Sequence, residues 1–197
     1  MIDEIIQREW DFFQKVENIG GRASCQNDFE TFYLQRKGQF EVFYPEVNEA
    51  YLEDLKLYKE IGRNPLMEKY AYMMESTDPK YYDSIKKQLP ERSEDQIKII
   101  NSICQIEVSM REVFNEKYPK LSGNARTTYT SDDKKEDTSF ETYLRGELST
   151  YSSRTLYLYG RMLADMLEKD QNIVLMIQEK TVQGYGYQSL DDIESKL

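Results

Sequence analysis

Phe140-Glu141-Thr142-Tyr143, in the second half of the chain, repeats Phe29-Glu30-Thr31-Phe32 of the first half almost residue for residue. Upstream, Gln7-Arg8-Glu9-Trp10 is echoed by Gln105-Ile106-Glu107-Val108, and between these blocks Gly20-Gly21-Arg22 is echoed by Gly123-Asn124-Ala125-Arg126. Any one match arises by chance. Three in the same order, with a separation that widens along the chain as loop insertions would make it, point to a duplicated and fused unit. Around both copies apolar residues recur at helical spacing, and no alternating strand pattern appears. The expectation is an all-α fold, a helical bundle of two similar halves near 1–90 and 91–197 related by a pseudo-twofold axis. Neither half covers its own broad apolar helices, so residues 1–197 are expected to form one intertwined helical domain.

Proline punctuates the pattern at positions 45, 65, 79, 90 and 119. Helices are expected near 1–18, 28–43, 46–61, 65–75, 79–88, 93–117, 138–169, 172–183 and 189–196. Asp28, Ser93 and Ser139 stand where helix caps belong, and Glu94-Asp95 places acid in the first turn behind Ser93. The longest irregular stretch, 119–137, reads as an insertion.

Composition narrows the chemistry. The formal net charge of −10 comes without a basic stripe, which argues against nucleic acid and against an anionic membrane surface. The longest apolar run, Ile173 to Ile177, is far too short to span a bilayer. The start, Met1-Ile2-Asp3-Glu4, carries no basic, apolar leader, and two cysteines without a CxxC motif read as reduced thiols, so a cytoplasmic setting is expected. The chain has no histidine. That removes Ser-His-Asp and Cys-His catalysis, imidazole zinc sites and the Glu-x-x-His ligands of di-iron bundles. No metal site and no cofactor is expected, and chemistry is left to carboxylates, Tyr, Cys, Arg and Lys.

Helical projection yields the candidate site. Glu9 falls inside the stripe Ile2, Ile6, Trp10, Phe13, Val16, and Arg36 inside the stripe Phe29, Phe32, Tyr33, Phe40, Phe43. Glu107 sits between Ile100, Ile103 and Phe114, with Arg111 one turn on. In the helix over 138–169, Glu147, Tyr151 and Arg154 share the apolar face. Charges on apolar stripes are costly unless paired. Glu9 and Glu107 are counterparts in the duplication, as are Arg36 and Glu147, so opposite charges are expected to converge near the axis. Glu9, Glu107 and Glu147 are each expected to be buried within reach of an arginine.

Several motifs carry two readings. Gly20-Gly21-Arg22-Ala23-Ser24-Cys25-Gln26 is either a backbone nest for an anion or a glycine turn whose Arg and Gln satisfy helix-end carbonyls; the turn is favoured. Cys25 is read as a small buried thiol rather than a nucleophile. Glu147, Tyr151 and Arg154 are an acid, a phenol and an anion clamp, or else a buried ion pair bridged by tyrosine. The pairs Glu46/Glu49, Glu91/Glu94 and Asp191/Glu194 are spaced like metal ligands, but their polar neighbours mark solvated faces.

Two blocks are distinctive: Arg8-Glu9-Trp10 with Asn18 to Gln26, and Lys69-Tyr70-Ala71-Tyr72-Met73-Met74-Glu75-Ser76-Thr77 with Ser139 to Leu148. Along essentially its whole length the chain resembles an uncharacterised bacterial family known only as a domain of unknown function. The resemblance implies a bacterial cytoplasmic protein and carries no activity. Two functional expectations remain. One is a helical interaction or regulatory module whose Glu/Arg network is structural and whose surface meets a protein partner. The other is a small-anion-binding protein or enzyme with its pocket at the axis, where Arg22, Arg36, Arg126 and Arg154 hold the anion and Glu9, Glu107 and Glu147 act as bases or metal ligands. The module is given the edge.

Overall fold

A computed structural model describes residues 1–17, 21–135 and 137–197. It is all-helical, with 75% of the described residues in helix, and no strand forms among them. The first half holds α1 (Ile2–Phe13), α2 (Phe29–Val42), α3 (Pro45–Glu60), α4 (Pro65–Thr77) and α5 (Pro79–Ile85). The second holds α6 (Glu94–Lys117), α7 (Pro119–Gly123), α8 (Phe140–Leu148), α9 (Ser153–Glu168), α10 (Ile173–Gly184) and α11 (Leu190–Lys196).

Local chemistry explains the helix starts. Four prolines, Pro45, Pro65, Pro79 and Pro119, occupy the first turns of α3, α4, α5 and α7, where the missing N–H has no intrahelical acceptor to lose. Asp28 accepts from Thr31 N at 3.0 Å, Ser139 from Thr142 N at 3.2 Å, and Ser93 forms a capping box with Gln96.

Two boundaries differ from the sequence reading. The helix expected over 1–18 stops at Phe13, and Asn18 to Gly20 lie outside the described residues. The helix expected over 138–169 is two helices, α8 and α9, broken at 149–152. A partner from another helix makes this break. The Ser152 N–H donates to Asp54 Oδ2 of α3 at 3.0 Å, the Thr155 hydroxyl donates to the same oxygen at 2.7 Å, and Ser152 Oγ caps α9. Within 119–137, where Glu136 lies outside the described residues, the chain forms α7 and a 3₁₀ turn at Thr130–Asp132.

α3 packs against α9, with α1 packed on α3 and α6 on α9. The core between them holds Ile5, Phe40, Leu55, Ile100, Phe114, Leu156 and Met162, all essentially inaccessible to solvent. Two flanking contacts, α2 on α10 and α4 on α8, bring backbones close through glycine. A Cβ on Gly38 would meet Thr181 of α10, its backbone N at 3.0 Å; one on Gly146 would meet Lys69 O of α4 at 2.9 Å and Met73 Cγ at 2.7 Å. Because carbonyl and amide backbone cannot yield as a side-chain tip can, Gly146→Ala is expected to destabilise by about 1–3 kcal/mol. Gly123→Ala, whose Cβ would meet nothing within 4 Å, is the control. Equal urea midpoints for the two variants would contradict this close packing.

Candidate functional site

α2 carries Arg36 into the interior, because the side chain that faces α1 and α8 at that turn is the guanidinium. Arg36 Nε and Nη2 donate to Glu9 of α1 at 2.7 and 2.5 Å, and Nη1 and Nη2 to Glu147 of α8 at 3.2 and 3.0 Å. The planar fork is thus used twice. Lys69 of α4 completes the group with a 2.7 Å bond to Glu147 Oε2, its ammonium 3.5 Å from the centre of the Tyr143 ring. Tyr51 donates to Glu9 at 2.7 Å, Tyr151 to Glu147 at 3.1 Å, and Gln39 Nε2 to Glu147 at 3.0 Å. Two carboxylates face two cations, so the network is charge-balanced and densely bonded. Burial raises the Glu147 carboxyl, but Arg36 and Lys69 outweigh it and hold the group well below the usual carboxylate range. Burial likewise opposes the Arg36 charge, and Glu147 and Glu9 more than restore it.

The second part of the site is not balanced. Glu107 of α6 is 3% exposed and, among the described residues, has no cation within salt-bridge reach. The Tyr159 hydroxyl of α9 donates to its Oε1 at 2.7 Å, and no donor among the described residues reaches Oε2. Burial pushes its carboxyl up to about 7; the Tyr159 bond works against this and the nearby Glu147 charge adds to it. Arg111, one turn along α6, does not turn back to Glu107. Its guanidinium lies between the rings of Phe114 and Phe140, 4.7 and 5.6 Å from their centroids. It too is 3% exposed. Among the described residues its Nε has no partner, and its one hydrogen bond is a long one, 3.4 Å, to Arg126 O. Burial lowers its pKa with no carboxylate to offset the effect.

Both residues line one cleft of about 560 Å³ between α2, α6, α8 and α10, closed at one side by Asn124 to Arg126. The cleft also exposes Arg36, Gln39, Tyr143 and Gln178. Arg126 stands exposed at the rim, its guanidinium 4.7 Å from the Tyr143 ring centroid and 3.0 Å from Thr138 O.

Of the residues singled out from sequence, Glu9, Arg36, Glu147 and Tyr151 meet in the network, and Glu107 and Arg126 line the cleft beside it. Glu107 is buried as expected, but its partner is Tyr159, because Arg111 is drawn off by two aromatic faces. Arg154 is elsewhere. The break at 149–152 turns α9 so that Arg154 faces solvent and pairs with exposed Glu53. Arg22 is also outside: it bonds Asn27 Oδ1 at 2.8 Å and Gln26 O at 2.6 Å. Gln26 in turn donates to Phe13 O and Val16 O at the end of α1, which is the helix-capping role. Gly21 takes a left-handed φ of 88° there, while Gly20 lies outside the described residues. Cys25 is exposed rather than buried, since Gln26 takes the inward position of this turn. Both cysteines are free thiols.

Lys69, Tyr51, Gln39 and Tyr159 belong to the site although the stripes of charged residues do not single them out. Lys69 has a signal, since it lies between Leu66 and Met73 on the apolar face of α4. No group of three or more metal-ligating side chains forms among the described residues. No helix there is long and apolar enough to cross a membrane.

Fold and site define a small helical protein with a buried polar cleft. The chain belongs to the family described as "Protein of unknown function (DUF4125)", whose model matches residues 1–195. No curated protein and no solved structure matches it.

Proposed function

We propose that this protein binds a small organic anion, a carboxylate or a phosphate, in the cleft between α2, α6, α8 and α10, with Arg111 as its anchor. One observation carries the reading: a buried guanidinium with no carboxylate partner among the described residues opens on the same cavity as a buried carboxyl that stays protonated up to about neutral pH. An unpaired buried charge costs several kcal/mol. A ligand oxyanion offsets that cost, and the forked donors suit its geometry. Glu107 then offers a proton donor beside the anion at neutral pH, the disposition of a general acid or of a hydrogen-bond donor to the ligand. The charge-balanced network of Glu9, Arg36, Glu147 and Lys69 we assign to holding the walls of the cleft, which is where the structural-module reading keeps its force.

We infer further that the cleft lies on the axis of a duplication within one domain. Reciprocal contacts support this. Gln39 and Glu147, 108 residues apart, are hydrogen-bonded to each other. The same shift takes the Phe43–Tyr159 ring pair, 5.1 Å, into Tyr151–Tyr51, 4.9 Å, and Gly38 against Thr181 into Gly146 against Met73. Asn64, which caps α4 and donates to Phe12 O at 2.9 Å, corresponds to Asn172, which caps α10 and donates to Met110 O at 3.0 Å. Tyr51 on Glu9 corresponds to Tyr159 on Glu107, each bond 2.7 Å. In this register the counterpart of Glu147 is Gln39, one turn from the Arg36 of the sequence alignment, because α2 is longer than α8.

A thermal-shift screen of organic acids, phosphorylated metabolites and nucleotides tests the binding. Ligand at a hundredfold excess over its dissociation constant stabilises the fold by about 2.7 kcal/mol. Hits are expected to be lost in Arg111→Met and kept in the surface control Lys87→Ala. A flat screen, or hits indifferent to Arg111, would refute the anion site.

A further inference from the structure

A second cavity, of about 210 Å³, abuts the cleft and shares Gln35, Arg36, Arg126 and Tyr143 with it. Its wall is of a different kind. Phe13 and Phe32 stack at 5.5 Å with their rings 15° apart, Tyr70 lies 6.2 Å from Phe13, and Leu66 closes the side. Exposed Cys25 stands at the rim. In the register of the duplication this cavity is the counterpart of the cleft: Phe13 stands where α6 has Arg111, Phe32 where α8 has Phe140, and Tyr70 where α10 has Gln178. The two copies have diverged, one toward an anion-binding chemistry and the other toward an aromatic one, and they meet at Arg126 stacked on Tyr143.

Resting on the anion-site reading above, we infer that the two cavities are the two ends of one site and that its ligand is an aromatic organic anion. The carboxylate or phosphate lies at Arg111, and an aromatic ring occupies the cavity walled by Phe13, Phe32, Leu66 and Tyr70. Size and geometry both favour a ring. A cavity of about 150 Å³ has room for benzene, so this one, whose wall also carries Asp28, Thr31 and Lys69, has the volume for a single ring. Phe32 and Tyr70 lie within 31° of parallel to Phe13, so the faces and rims of these rings suit offset contact with another ring. A purely aliphatic tail would fit the volume but would not use those geometries. Arg126 at the junction stacks on Tyr143, is tethered by its bond to Thr138 O, and stands over the bridge between the two ends.

Two ligand pairs test this by calorimetry on the full chain: phenyl phosphate against inorganic phosphate, and 3-phenylpropionate against propionate. The aromatic member is expected to bind about tenfold tighter or more, since its ring takes apolar surface out of water that the parent anion lacks. Cys25 provides a second readout that leaves the fold alone, because Cys104 is buried and Cys25 is not. Aromatic anions are expected to slow its alkylation by N-ethylmaleimide, while inorganic phosphate and propionate leave the rate unchanged. Protein already alkylated at Cys25 is expected to lose the aromatic preference and keep phosphate binding. If the parent anions bind through Arg111 but the ring adds nothing, or Cys25 is not protected, the two-ended site is wrong and the anion site survives. If no member of either pair binds, both readings fall.

Discussion

Arg36→Met is expected to lower the unfolding free energy by about 3–5 kcal/mol, the range for removing one partner of a buried ion pair. Among the described residues, the variant leaves Glu9, at 0% exposure, with only the Tyr51 hydroxyl, and takes Arg36 from Glu147 while Lys69 remains. A second substitution separates orphaned charge from lost packing. Adding Glu9→Gln to Arg36→Met removes the stranded carboxylate, so the double variant is expected to be more stable than the single one, which is the signature of coupling within a network. Arg154→Met sets the scale. Arg154 and Glu53 are both exposed, and such pairs contribute about 0–1 kcal/mol. Urea unfolding of the four proteins decides the matter; equal losses for Arg36→Met and Arg154→Met would mean that the buried network does not hold the fold.

The second large effect is one of pH. The Glu107 carboxyl is raised from 4.5 to about 7 in the folded protein. Between those values the folded chain holds a proton that the unfolded chain has released. Stability therefore falls as pH rises through this window and levels off above about 7. The full span is on the order of 3 kcal/mol, at about 1.36 kcal/mol for each pH unit between the two values. Glu107→Gln keeps an acceptor for the Tyr159 hydroxyl and removes the titration. It is expected to match the parent near pH 4.5 and to exceed it at pH 8. Glu147 has the opposite sign: its depressed pKa contributes stability that is present above the ordinary carboxylate range and lost as pH falls below it. Thermal melts from pH 2 to 9 measure both. A parent and a Glu107→Gln variant that keep a constant difference across this range would show that Glu107 is ionised throughout. Because Glu107 lines the ligand cleft, the same titration is expected to govern anion affinity, which weakens as the carboxyl ionises beside the ligand.

Helical spacing, the first-turn prolines and the caps at Asp28, Ser93 and Ser139 are legible in the sequence because they are local signals. Local signals survive tertiary context, since the backbone groups they satisfy lie within a few residues. Charges inside apolar stripes at Glu9, Arg36, Glu107 and Glu147 announce burial for the same reason: a helix face is read directly from a period of 3.6. The order of the repeated blocks is also a property of the sequence, and it directs attention to the region where Gln39 and Glu147 bond.

Partnership is another matter. That Glu107 has Tyr159 for a partner, and that Arg111 turns to Phe114 and Phe140, depends on which helices become neighbours. No spacing within α6 encodes it, for Glu107 and Arg111 are placed in sequence as an ideal intrahelical pair. Reading one helix through residues 149–152 misplaces Arg154, because the decisive group, Asp54, comes from α3. Residue type, helical face and burial are thus settled by short-range geometry. The pairing of buried charges, and with it the unmatched guanidinium on which the anion-site proposal rests, is settled only when helices distant in sequence pack together, since charges in a low-dielectric interior answer to whatever lies within a few ångströms.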